Sequence, residues 1–276
     1  MFSMNELEII LLFIIFLMIS ILGNLSGTGG GLLKVPVLIF FGYLTDSVVI
    51  SLLIIPFLSI PTTIINIRRK IIDYKASIFI IGGAFLGTIL GITVYNFLMA
   101  IDQIYYISVF SVFLILASFR FLFTKNNSKN NTIEELAHIE SIDINYKTII
   151  ITILIGILAG ISSPLFGVGG GLVVTPLLVL IFHFKVHRSI AASIFIMNFT
   201  TAFSIFQHFM SGYISSDAID TFIMVLILGI GTVLGSVITS YIFKKTKQRI
   251  LKYIFVIIVL TIAVPLLWLR YIFPIY

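Results

Sequence analysis

The residues best suited to chemistry in this 276-residue chain are two glycine runs, one lysine and a few hydroxyls. Gly27-Thr28-Gly29-Gly30-Gly31-Leu32-Leu33-Lys34-Val35-Pro36 returns as Gly167-Val168-Gly169-Gly170-Gly171-Leu172-Val173-Val174-Thr175-Pro176. Glycines let backbone approach a ligand closely and adopt positive φ. A short helix starting near Gly31 or Gly171 would offer free N–H groups and the positive end of its dipole. Such a nest suits a small oxyanion. Ser26 and Thr28 in the first copy, and Ser162 and Ser163 in the second, add hydroxyl donors. Lys34 is the one cation deep in an apolar stretch, and Val174 replaces it in the second copy. It either pairs with an anion or snorkels to the surface. The plainer reading of the glycines is close helix packing.

The elements that must carry these residues are helices in a bilayer. The chain is 59% hydrophobic and 10% charged, with a mean hydropathy of +1.20, which excludes a soluble globular domain. Ten hydrophobic segments run over 7–23, 31–42, 47–67, 76–98, 103–123, 147–163, 170–183, 188–210, 218–243 and 250–273. The second and seventh are too short to cross as straight helices. They hold the glycine runs, and broken helices survive in hydrocarbon only where the loose backbone lines a protein-walled cavity. Pro36 and Pro176 are expected to help fix those breaks. Paired breaks in two halves point to a transporter's binding site.

Gly29 and Gly169 are 140 positions apart, and Gly87-Thr88-Ile89-Leu90-Gly91 matches Gly231-Thr232-Val233-Leu234-Gly235 further along. Two matches in the same order indicate one duplicated unit. The expected domains are a transmembrane repeat over 1–123, a cytoplasmic linker over 124–146 and a second repeat over 147–276. Lysine and arginine set the orientation. Arg68, Arg69, Lys70 and Lys75, the linker, the loop 185–188 and the 244–252 cluster all fall on the cytoplasmic side. Asp46, Asp102, Asp217 and Asp220 fall outside, and so do both termini. The net charge of +6 is thus a matter of topology. The loop after the short segment is then external in one half and internal in the other, so the repeats are inverted. The expected fold is an all-α polytopic membrane protein of two inverted repeats. Each combines a short or broken helix at a glycine-rich motif with about three spanning helices.

Other candidates are thinner. Ser193, Thr200, Ser204, Gln207 and Ser211 share a helix face; Asn198 lies off that stripe, and Ser59, Thr62 or Thr63 and Asn66 offer a lesser version. The stripe either lines a path or glues helices together. The spaced glycines Gly83, Gly87 and Gly91, and Gly231 with Gly235, read as packing contacts. His208 is a possible proton carrier but reads as ordinary interface, with the four histidines scattered at or near surface segments. Phosphate-loop, zinc-protease and serine-hydrolase motifs are absent, as is any ATP-binding module. Cysteine is absent too, which excludes thiol chemistry. No cofactor, metal or nucleic-acid partner is expected.

On the duplicated phrases Gly27–Pro36 and Gly167–Pro176, the two-half layout and the apolar content, the sequence resembles the sulfite exporter TauE/SafE family over essentially its whole length. The resemblance implies movement of sulfite, sulfonates or related anions across the cytoplasmic membrane. The single Lys34 departs from a symmetric cradle. The expectation is a secondary transporter working by alternating access, with a small anionic substrate, a coupling proton or cation, and the bilayer as its partners. Its expected binding set is Ser26, Gly27, Thr28, Gly29, Gly30, Gly31, Lys34, Ser162, Ser163, Gly167, Gly169, Gly170, Gly171, Asn198 and Gln207. An anion channel, or a membrane subunit of a sulfur-metabolising complex, is the alternative.

Overall fold

A computed structural model describes residues 6–26, 30–43, 46–123, 145–184, 186–212 and 218–242, together with 257, 259–261 and 263–265 near the C terminus. The described residues form helices α1 (Glu6–Ser26), α2 (Gly31–Phe40), α3 (Ser47–Arg68), α4 (Tyr74–Ile101) and α5 (Gln103–Phe123). After the linker come α6 (Tyr146–Phe166), α7 (Gly171–Phe182), α8 (Val186–Met210) and α9 (Ala218–Ile242). Residues 257, 259–261 and 263–265 are also helical. Among the described residues, five helices are long and apolar enough to cross a bilayer: α3, α4, α6 and most of α8 and α9. Their outward faces carry large apolar side chains, such as Leu86, Leu90 and Phe97 on α4 and Leu154 and Leu158 on α6, as lipid contact requires. The linker, expected over 124–146, lies outside the described residues from 124 to 144.

Helix starts follow local chemistry. Asp73 caps α4 by accepting from Ala76 N–H at 3.1 Å, and Asn145 caps α6 by accepting from Tyr146 N–H. The short helices begin differently, on left-handed glycines.

The most extensive packing among the described residues joins α4 to α6, and the next joins α1 to α9. Both cross between the two halves of the sequence. In the first, Gly83, Gly87 and Gly91 of α4 lie directly on the backbone of Ile153, Ile157 and Ile161 of α6. Gly156 and Gly160 return the contact, so a Cβ at Gly87 would overlap the Ile157 carbonyl. In the second, a Cβ at Gly235 would sit 2.5 Å from Leu17 O, and one at Gly231 would sit 3.1 Å from the Phe13 ring. These spaced glycines are packing contacts. The two pairs are also equivalent under the repeat, since α9 matches α4 and α6 matches α1.

The same contacts fix directions. Residue numbers rise together along α4 and α6, and along α9 and α1, so each pair is parallel. Asp73 at the start of α4 touches Arg188 at the start of α8, and Tyr95 near the end of α4 touches His208 near the end of α8. Helices α4, α6 and α8 therefore start at one end, which carries Arg68, Arg69, Lys70, Lys75, Lys147 and Arg188. Helix α3 finishes there, so α3 and its repeat mate α8 lie antiparallel, which is consistent with an inverted duplication.

Candidate functional site

Both glycine breaks are built alike. Gly30 (φ 74°) precedes α2 and Gly170 (φ 79°) precedes α7, both in the left-handed region, and no side chain caps either helix. Only glycine takes this conformation without steric cost. Gly30 O accepts from Leu33 and Lys34 N–H at 3.2 and 3.3 Å, and Gly170 O accepts from Val173 and Val174 N–H at 3.1 and 3.2 Å. Each glycine lies against a carbonyl of the preceding long helix, Ile19 O for Gly30 and Ala159 O for Gly170. Those two carbonyls are also 140 positions apart, so the repeat holds at the level of single contacts.

The prolines correct one expectation. Pro36 and Pro176 sit inside α2 and α7, beyond their first turns, and the breaks themselves are made by the glycines. Each proline removes one backbone donor within a short helix.

The two breaks meet. A Cβ on Gly31 would stand 2.9 Å from Gly167 O and from Val168 Cα, and one on Gly167 would stand 2.7 Å from a Val35 methyl. Ser51 of α3 donates to Gly167 O at 2.8 Å. Residues 31–35 of the first motif thus touch residues 167–168 of the second inside the protein, an approach that a Cβ on Gly31 or Gly167 would obstruct.

Polar chemistry differs between the copies. The second break is held by hydroxyls from α8: Thr200 donates to Gly169 O at 2.5 Å and Ser193 to Gly171 O at 3.2 Å. Ser204 donates to Ser163 Oγ at 2.7 Å, and Ser163 to Thr200 O at 3.4 Å. Ser162 donates within its own helix to Ala159 O. From Ser193 to Ser204 of α8, then, the hydroxyl stripe acts as glue. His208 is fully buried, contrary to a surface placement, with Nε2 3.0 Å from Pro164 O and its ring edge-on to Tyr95. A carbonyl only accepts, so Nε2 carries the hydrogen. Pro164 O belongs to the last turn of α6, where carbonyls lack helical partners.

The first break carries Lys34 instead. Its side chain is fully buried, so it does not snorkel, and Nζ has no hydrogen-bond partner among the described residues. Thr175, next to the equivalent Val174, also has a buried hydroxyl without a partner among them. Of the other expected residues, Gly27, Thr28 and Gly29 lie outside the described residues, and Ser26 ends α1 with its side chain undescribed. Asn198 faces α3, where its Oδ1 accepts from Ser59 and its Nδ2 donates to Thr63, both at 2.8 Å. Gln207 lies more than two turns further along α8 and is half-buried.

Three features escape sequence reading. Ser51 holds Gly167 from another helix. Asp73 and Arg188 form a buried ion pair at 2.6 Å, with Arg188 stacked over the Phe184 ring at 4.6 Å. Its one sequence signal is an acid set in a cation-rich connection. Phe110 and Phe113 of α5 pack on Phe166 just before the second break. No group of three potential metal ligands occurs among the described residues.

Broken short helices meeting inside an apolar-surfaced helical bundle, with a buried cation beside them, define a polytopic membrane transporter. The chain belongs to the sulfite exporter TauE/SafE family, whose profile matches residues 12–268. It is similar to the probable membrane transporter protein YunE of Bacillus subtilis (strain 168), with 25% identity over 271 residues, covering 91% of this chain and 96% of that one. It is also similar to the probable membrane transporter protein MJ0441 of Methanocaldococcus jannaschii, with 30% identity over 253 residues, covering 88% and 89%. No solved structure matches.

Proposed function

We propose that the protein is a secondary transporter that moves a small anion, sulfite or another sulfur-containing or organosulfonate anion, across the cell membrane by alternating access. The observation that carries this reading is Lys34. It is wholly buried, without a protein partner among the described residues, on a helix whose uncapped start abuts the second break. An isolated ammonium inside a protein costs several kcal/mol. An anion held between that charge and the helix N-termini offsets the cost. The two units, 1–123 and 147–276 about the linker 124–146, supply one break each, and the inverted layout lets the site open to either side. A gradient of the anion, or of a coupled proton or cation, drives net flux.

The test is uptake of labelled sulfite into proteoliposomes under imposed pH and voltage gradients. Wild type should show saturable flux. Lys34→Ala should lower it about ten- to a hundredfold, the worth of one charge-assisted hydrogen bond of about 1.5–3 kcal/mol. Flux that is unsaturable, or indifferent to Lys34, overturns the reading.

A further inference from the structure

If the chain rocks between two states, the two halves of its sequence are the obvious moving bodies. The packing speaks against them. The largest contacts, α4 on α6 and α1 on α9, both join one half to the other. Both are backbone-to-backbone seams lined by glycine. In such a seam any slide drives the next side chain into a facing backbone, so it holds one arrangement rather than many. Ser20 reinforces the second seam by donating to Thr232 O at 2.7 Å. The Asp73–Arg188 pair ties α4 to α8, again across the halves.

We infer that the moving bodies are two bundles that have exchanged a helix, one of α4 with α6, α7 and α8, the other of α9 with α1, α2 and α3. Each bundle contains one complete break and one packing helix from the opposite repeat. The remaining interface between them is chiefly α3 against α8, with one close backbone contact, Gly31 of α2 on Gly167 and Val168, where the breaks meet. Along α3 and α8, away from that single glycine, the interface has a different character. Its described hydrogen bonds are single side-chain contacts, Ser59 and Thr63 to Asn198, with Ser51 to Gly167 O where the breaks meet. Contacts of this kind can be exchanged for water or for a polar solute at little net cost, whereas a glycine seam cannot. The substrate path therefore runs along α3 and α8, and Asn198 faces it from one bundle while Ser59 and Thr63 face it from the other. This rests on the alternating-access reading above and assigns that reading its moving parts.

The chain has no cysteine, so spin labels can be placed without a background. Phe97, exposed near the end of α4, serves as a common site. Phe97→Cys is paired with Tyr146→Cys, exposed at the start of α6: other half, same bundle. It is also paired with Leu7→Cys, exposed near the start of α1: same half, other bundle. Distance distributions are recorded by double electron–electron resonance in lipid nanodiscs, without and with sulfite. Labelled proteins are also assayed for sulfite uptake, to show that they still work. The expected result is one fixed distance for 97/146, and a shifted or second population for 7/97. The reverse pattern overturns the exchanged bundles and restores the sequence halves. Two fixed distances in a protein that carries sulfite overturn this inference alone. Two fixed distances with unsaturable or absent uptake overturn the alternating-access reading as well.

Discussion

At their described residues the two glycine breaks share a backbone and differ in the side chains around it. Both start a short helix on a left-handed glycine set against a carbonyl of the preceding long helix. The second is then held by hydroxyls of α8 on the carbonyls of Gly169 and Gly171, with Val174 fully buried. The first has Lys34 buried where Val174 stands in the second. Among the described residues, one copy is a wall braced by hydroxyls and the other carries a buried lysine.

The comparison breaks most sharply if the copies can be interchanged. Val174→Lys places an ammonium in a fully buried position, and a lysine in the membrane interior costs on the order of 3 kcal/mol. We expect it to be the most destabilising of these changes, read as a lower midpoint of thermal unfolding in detergent. A variant as stable as wild type would show that the second break already has an anion or water to offer.

Lys34→Met is the converse. It removes a buried charge while keeping the length of the side chain, so the unfolding midpoint should rise while sulfite flux falls. A purely structural lysine would lower both. Stability gained as transport is lost is the signature of a group retained for function.

The glycines test the shared backbone. Alanine at Gly30 or Gly170 takes on left-handed strain of about 1–2 kcal/mol. Gly170 has less room: its Cβ would lie 2.9 Å from Ala159 O, against 3.2 Å from Ile19 O at Gly30. Gly170→Ala should therefore unfold at lower temperature than Gly30→Ala. The opposite order would mean that the first break, not the second, is the more rigid one.

Hydropathy and glycine spacing carried the sequence far for a physical reason. A bilayer demands long apolar segments and forbids unpaired backbone, so spans and breaks both show in composition. Segments expected at 47–67 and 103–123 form Ser47–Arg68 and Gln103–Phe123. The packing role of Gly87 was legible, because small residues recur at helical spacing. Its partner Gly160 was not, since spacing along one helix does not say which helix it meets. The same holds for Asp73 and Arg188, which are distant in sequence and joined only by the fold. Lys34 stood out as a lone charge in an apolar run, yet whether it snorkels depends on what surrounds α2. His208 near a helix end looked superficial, but its face of α8 packs on Tyr95 of α4. Pro36 and Pro176 were expected at the breaks because proline interrupts helices, and a proline past the first turn can remain helical when neighbouring helices support it.

The smallest effect lies just beyond the two short helices, where the copies again part company. Arg188, past α7, is paired with Asp73; Asp46, past α2, stands before α3 with its side chain capping nothing. Partial burial raises the Asp46 carboxyl above its ordinary value. A raised folded value means the folded protein holds this proton more tightly than the unfolded one. Stability should therefore decline slightly as pH climbs from the ordinary carboxylate range through the raised one, and then level off. Asp46→Asn removes that decline and leaves sulfite flux unchanged, because the residue lies outside the breaks. The comparison to make is the unfolding midpoint of both proteins from about pH 3 to 7, a range that starts below an ordinary aspartate. If the wild-type midpoint instead rises with pH relative to the variant, Asp46 is held ionised by a partner, and the end of α2 is as firmly tied as the end of α7.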